Sequence, residues 1–142
     1  MIILDTNVVS EIWRPKPNGT VVKWLESQRE DLLYLCTPVL AELRYGIGRL
    51  AASHRKNRLK RAIDRLEEEY RDRILPLDTA AAAEFGRLAA NRERIGRSME
   101  PMDCLIAAIA VSHRAALATR DIQDFAGLGV NVMDPFDATD GG

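Results

Sequence analysis

Apolar and polar positions along the chain alternate between short continuous runs and stripes at helical spacing. Met1 to Leu4 is apolar throughout and the chain turns polar at once at Asp5, Thr6 and Asn7, which predicts a short buried strand with an acid at its carboxyl end. Val8, Val9 and Ile12 suggest a short helix after it. Arg14-Pro-Lys-Pro-Asn-Gly19 then breaks the pattern, and Asn18 is placed to cap a helical segment carrying Val21, Val22, Trp24 and Leu25. Leu32 to Leu35 predicts a second strand. Thr37-Pro38 suits a helix start, and Val39, Leu40, Leu43, Ile47 and Leu50 form one stripe of a helix from about Pro38 to Leu50.

The second half repeats this alternation. Leu59, Ile63, Leu66 and Tyr70 share a side of a long helix from about His54 to Arg71, and Ile74 to Leu77 predicts a third strand, interrupted by Pro76 and so short and near an edge. Asp78-Thr79 caps an alanine-rich helix through about Arg94, ended by Gly96. Pro101 opens a helix with Met102, Leu105, Ile106 and Ile109 on its apolar side, Ala115 to Ala118 predicts a fourth strand, and Val130 to Met133 a last short one. Strands alternating with helices imply an α/β domain, with a central parallel sheet of four or five short strands flanked by helices. Residues 1–134 are expected to form this one domain, and residues 135–142 a loose carboxyl-terminal tail.

Composition narrows the class. At 142 residues with 46% hydrophobic and 29% charged positions, the chain suits a single globular domain with its own core. No apolar run reaches the length of a membrane span and the amino terminus lacks a basic leader, so a cytoplasmic location and no membrane contact are expected. Cys36 and Cys104 lack the spacing of a disulfide framework or a zinc site and are expected in the core. The net charge of −1 gives no overall pull toward nucleic acid. Between Arg49 and Arg65, however, seven bases face the single acid Asp64, either a solvated helix face or a place for a polyanion.

Four acids occupy defined settings. Asp5 follows the first strand, and Asp121 follows the fourth through Thr119 and Arg120, which puts both at the carboxyl edge of a parallel sheet, where α/β domains bind ligands. Glu42 and Asp103 each lie roughly 60° outside the apolar stripe of their helix, on the shoulder between core and solvent. Each has a plain structural explanation as well: Asp5 as a helix cap, Glu42 as a surface residue, Asp103 as a favourable charge in a first helical turn. Brought together, the four would resist joint ionisation unless a cation offset them. An oxygen-only set without His or Cys points to Mg²⁺, with Mn²⁺ as a substitute, and away from zinc. His54 and His113 sit in charged helical surroundings and are expected at the surface.

The opening LDTN, Glu42 in Ala41-Glu-Leu-Arg44, Asp103 in PMDCLIAAIA, and Thr119-Arg-Asp121 followed by Phe125 resemble the PIN-domain ribonucleases, especially the VapC toxins and their FitB-like branch. The resemblance covers nearly the whole chain in the expected order. It implies a three-layer PIN-like nuclease domain and a metal-dependent endoribonuclease of a type II toxin–antitoxin pair, dimeric and silenced by a VapB-type antitoxin. It implies further that the substrate is RNA such as transfer RNA, and that operator DNA is met only through the antitoxin. Asp5, Glu42, Asp103 and Asp121 would be the catalytic metal ligands, with Asn7 and Thr119 orienting them. Arg44, Arg49 and Arg120 would guide the RNA backbone. An aspartyl-phosphate phosphatase has a second acid two residues after the first, where this chain has Asn7, and a phospho-accepting receiver domain has paired acids early in the chain, which MIILDTN lacks. A non-catalytic PIN-fold module that binds protein or RNA stays open as an alternative.

Overall fold

Parallel pairing of β1 (Ile2–Leu4) with both β2 (Leu33–Cys36) and β4 (Ala116–Ala118) puts the first strand at the centre of the sheet, with Ile2 opposite Leu33 on one side and Ala116 on the other. In this computed structural model, which describes residues 1–137, β3 (Ile74–Leu75) joins β2 and β5 (Val132–Met133) joins β4, giving the order β3-β2-β1-β4-β5. Ile2, Ile3 and Leu4 are all buried, as a central parallel strand covered on both faces requires. Among the described residues six helices surround the sheet: α1 (Thr6–Ile12), α2 (Gly19–Ser27), α3 (Thr37–Gly48), α4 (His54–Glu69), α5 (Thr79–Arg94) and α6 (Pro101–His113). The expected three-layer architecture is thus the one observed, with five strands.

Where element ends differ from expectation, local chemistry explains them. Leu32 leaves the second strand because a 3₁₀ turn spans Glu30–Leu32, closed by the Leu32 N–H donating to the Arg29 carbonyl at 3.0 Å. β3 stops at Leu75, before Pro76, which has no N–H to give a ladder; the Leu77 N–H turns instead to Thr37 Oγ1 at 3.2 Å. β5 begins only at Val132, after Gly129 adopts a φ of +80°, a left-handed turn that β-branched Val130 cannot share. The caps are as expected: Asn18 Oδ1 accepts from the Thr20 N–H at 2.8 Å and Asp78 Oδ1 from the Ala81 N–H at 2.9 Å.

Helix α6 is buried more widely than a single stripe. Cys104, Ile106, Ala107, Ala108, Ile109 and Ala110 are all buried, because α6 packs against α3, α5 and β4 at once and its alanines permit close approach. Cys36 and Cys104 are free and buried. Two charged residues are buried: Glu11 is 4% exposed and Arg92 is 5% exposed. The start of the expected loose tail is packed, with Pro135 buried and Phe136 half-buried against the core. Residues 138–142 of that tail lie outside the described residues. Among the described residues no helix is long and apolar enough to cross a membrane.

Candidate active site

The site begins with the register of two strands. Leu4 lies opposite Ala118, so Asp5 and Thr119 leave the carboxyl ends of β1 and β4 side by side, and the Asp5 N–H donates to the Ala118 carbonyl at 2.9 Å. Asp5 works in two directions. Its Oδ1 accepts from the Thr6 N–H at 2.8 Å, starting α1, while Oδ2 accepts from the Thr119 hydroxyl at 2.7 Å. Thr119 is fully buried, and its Oγ1 also accepts from Asn7 Nδ2 at 3.2 Å and from the Asp121 N–H at 3.0 Å, which uses all the capacity of a hydroxyl.

Asn7 gathers the remaining groups. Its Nδ2 lies 3.1 Å from Asp121 Oδ2 and 3.4 Å from Asp5 Oδ2, and its Oδ1 accepts from the Arg120 N–H at 3.2 Å. One amide therefore fixes the turn that carries Asp121 against the start of α1. Glu42, in the second turn of α3, is held by the Thr6 hydroxyl, which donates to Oε1 at 2.7 Å. Asp103 stands half-buried in the first turn of α6.

The carboxylates feel one another. Burial pushes the Asp103 carboxyl up to about 6, and the charges of Asp5, Glu42, Asp124 and Asp121 push it the same way. Burial also raises Asp5, opposed by the hydrogen bonds from Thr119 and Thr6 and assisted by Glu42 and Asp121. Burial pushes the Cys36 thiol up to about 12, with Asp5 and Glu42 adding to it, which keeps it an inert thiol. Asp124 is a fifth acid that sequence reasoning missed; its signal was the spacing of three from Asp121, which the 3₁₀ turn Ile122–Phe125 brings around to the same side as Asp103.

No cation balances this group. Among the described residues every salt bridge joins other acids, and none reaches Asp5, Glu42, Asp103 or Asp121. An all-oxygen donor set of acids without a basic partner fits a hard divalent ion by chemistry. Among the described residues no three Asp, Glu, His or Cys side chains form a ready-made cage, so water would have to complete the coordination, as Mg²⁺ commonly requires. Two of the three arginines expected to guide RNA are engaged elsewhere. Arg44 pairs with Asp64 and Glu67, both at 2.9 Å, and Arg120 lies over the Phe136 ring at 3.8 Å, with Nη2 3.5 Å from Glu11 Oε1. Arg49 lies 5.4 Å over the exposed Tyr45 ring.

A parallel sheet whose carboxyl edge gathers acids from β1, α3, α6 and the turn after β4 defines a carboxylate-centred α/β domain. Residues 2–129 match the PIN domain, and the chain belongs to that family. It is 39% identical over 140 residues to Toxin FitB of Neisseria gonorrhoeae, covering 96% of this chain and 99% of that protein. It is 36% identical over 141 residues to the VapC ribonuclease Y4jK of Sinorhizobium fredii, again covering 96% and 99%. Among solved structures, that of FitAB bound to an IR36 DNA fragment superposes with a TM-score of 0.90 at 36% identity, covering 96% of each chain.

Proposed function

We propose that this chain is a metal-dependent endoribonuclease, the toxin of a type II toxin–antitoxin pair, hydrolysing RNA phosphodiester bonds. The observation that carries the proposal is the cluster of Asp5, Glu42, Asp103 and Asp121, four acids under mutual electrostatic influence and without a basic partner among the described residues. Their names as ribonuclease and toxin make the FitB and VapC relatives supporting company.

Asp5, Glu42, Asp103 and Asp121 would hold Mg²⁺, or Mn²⁺ in its place, directly or through water. When bound, such an ion activates water for in-line attack on a phosphodiester and offsets the charge of the phosphate and the departing oxygen. The chain's own residues supply position. Thr119 and the Thr6 N–H fix the two oxygens of Asp5, the Thr6 hydroxyl fixes Glu42, and Asn7 fixes Asp121. Asp103, protonated up to about 6 in the metal-free site, must shed its proton before it can serve as an anionic ligand.

Partners follow the relatives. A VapB-type antitoxin would silence the enzyme, with operator DNA met only through it, and the toxin would act as a homodimer in the cytoplasm; the FitAB relative was solved bound to a DNA fragment. The substrate would be RNA such as transfer RNA. Incubating the purified chain with total cellular RNA and Mn²⁺, with and without chelator, and sequencing the new ends tests the proposal. Chelator-sensitive cuts leaving 5′-phosphates support it. RNA left intact by a folded, metal-supplied chain favours the non-catalytic binding module.

A further inference from the structure

Beside the acids lies a second cavity, of about 360 Å³, whose walls include Arg92, Arg97, Ser98, Glu100, Asp103 and Asp124. Asp103 belongs to both, so this space opens from the acid cluster itself. Arg92 sits near the end of α5 and is 5% exposed. Its Nη2 donates to the Asp124 carbonyl at 2.8 Å, but its buried Nε has no partner and, among the described residues, no carboxylate lies within 4.0 Å of its guanidinium. A neutral hydrogen-bonding side chain would suffice to brace the Asp124 carbonyl. A buried guanidinium without a counter-charge is costly, and is retained where an anion completes it.

We propose that Arg92, with Arg97 and Ser98 on the loop after α5, forms a subsite for the backbone phosphate next to the one cut over the acids. The inference rests on the nuclease reading above. Arg92 brings a positive charge, unpaired among the described residues, to the cavity wall, and Arg97 and Ser98, both exposed, add a second charge and a hydroxyl donor to the same wall. Glu100, Asp103 and Asp124 line the same space and repel a free anion. The ligand is therefore a phosphate delivered by an RNA strand whose neighbouring phosphate is anchored with a cation at the acids, and free inorganic phosphate should bind poorly.

The test uses the full native chain in Mn²⁺ and follows binding of a labelled single-stranded RNA by stopped-flow fluorescence anisotropy, before cutting sets in, across salt concentrations. Arg92→Met and Arg97→Ala, each added singly, should weaken binding about tenfold and lower the slope of log affinity against log salt by about 0.7 per lost phosphate contact. Arg92→Lys should restore much of the slope. An RNA with a neutral methylphosphonate beside the cut linkage should lose affinity for the parent chain and lose nothing further with Arg92→Met. Arg97 is exposed, so Arg97→Ala informs even if Arg92→Met unfolds. Unchanged slopes in folded variants, or methylphosphonate losses that simply add to the variant's, overturn the subsite while leaving the nuclease reading intact. Absence of RNA binding by the parent chain itself overturns both.

Discussion

The Thr119 hydroxyl donates to Asp5 Oδ2 at 2.7 Å across 114 residues of sequence, joining the carboxyl ends of two adjacent strands. Thr119→Val keeps the shape and removes the hydroxyl, leaving Asp5, Asn7 and the Asp121 N–H each short of a partner. The expected cost is about 1–3 kcal/mol of stability and roughly 10- to 100-fold in activity, with Thr119→Ser restoring most of both. Denaturant melts and RNA cleavage rates at fixed metal check this. A harmless Val beside a damaging Ser would show that the methyl group's packing matters and the hydroxyl does not.

The raised Asp103 carboxyl makes metal-free stability fall with pH. Its ordinary value is 3.8 and the folded protein holds it at about 6, so between these values the folded state binds more protons than the unfolded chain. This contribution is fully present below the unfolded value and is lost as pH rises through about 6. Asp5, also raised, acts in the same direction. Melting temperatures in chelator should decline from about pH 4 to pH 7, and Asp103→Asn should flatten part of that decline. An identical slope in the variant would remove Asp103 as its source.

Glu11 and Arg120 show which parts of the site were legible in sequence and which were not. The apolar runs located the strands, and the polar switch after β1 and β4 located Asp5, Thr119 and Asp121, because parallel pairing aligns strand ends. Helical rotation placed Glu42 and Asp103 on the shoulder between core and solvent, without saying which strand ends they neighbour. The burial of Glu11 and Arg92 is not legible in sequence, since it depends on partners from other segments: Asn18 and Arg120 for Glu11, the Asp124 carbonyl for Arg92. Phe136 belongs with them. Its packing under Arg120 is a tertiary contact that a polar, glycine-ended tail does not announce.

The same pair yields a prediction. Asn7 and Glu11 are four residues apart on α1 and hold Arg120 at both ends, Asn7 through the backbone N–H and Glu11 near the guanidinium. Glu11→Ala also strips the Asn18 N–H of its acceptor at 3.2 Å, so about 2 kcal/mol of stability should be lost. Arg120→Ala should cost less, about 1 kcal/mol, because the Arg120 side chain is itself about half exposed and Glu11 keeps Arg14 and the Asn18 N–H, yet should lower kcat more than it raises KM by loosening the turn that carries Asp121. Thermal melts and steady-state kinetics decide. A change confined to KM would return Arg120 to the role of RNA guide.

Divalent metal should stabilise the fold. An ion bound only by the native state raises stability by about 2.7 kcal/mol at a hundredfold excess over its dissociation constant, and removing it with chelator should reverse the gain. Calorimetric melts with and without millimolar Mg²⁺ or Mn²⁺ measure the effect, which Asp103→Asn should reduce sharply. A melting curve indifferent to metal in both proteins would speak against a shared site.

The convergence of Asp5, Glu42, Asp103 and Asp121 on one divalent ion is tested most directly by titrating the chain with Mn²⁺ and following the electron paramagnetic resonance signal of the free ion. The account predicts saturable loss of that signal in the native chain above pH 7, and marked weakening of it with Asp5→Asn or Asp103→Asn. A signal that stays that of free Mn²⁺ in the folded native chain, or binding untouched by either substitution, would contradict it.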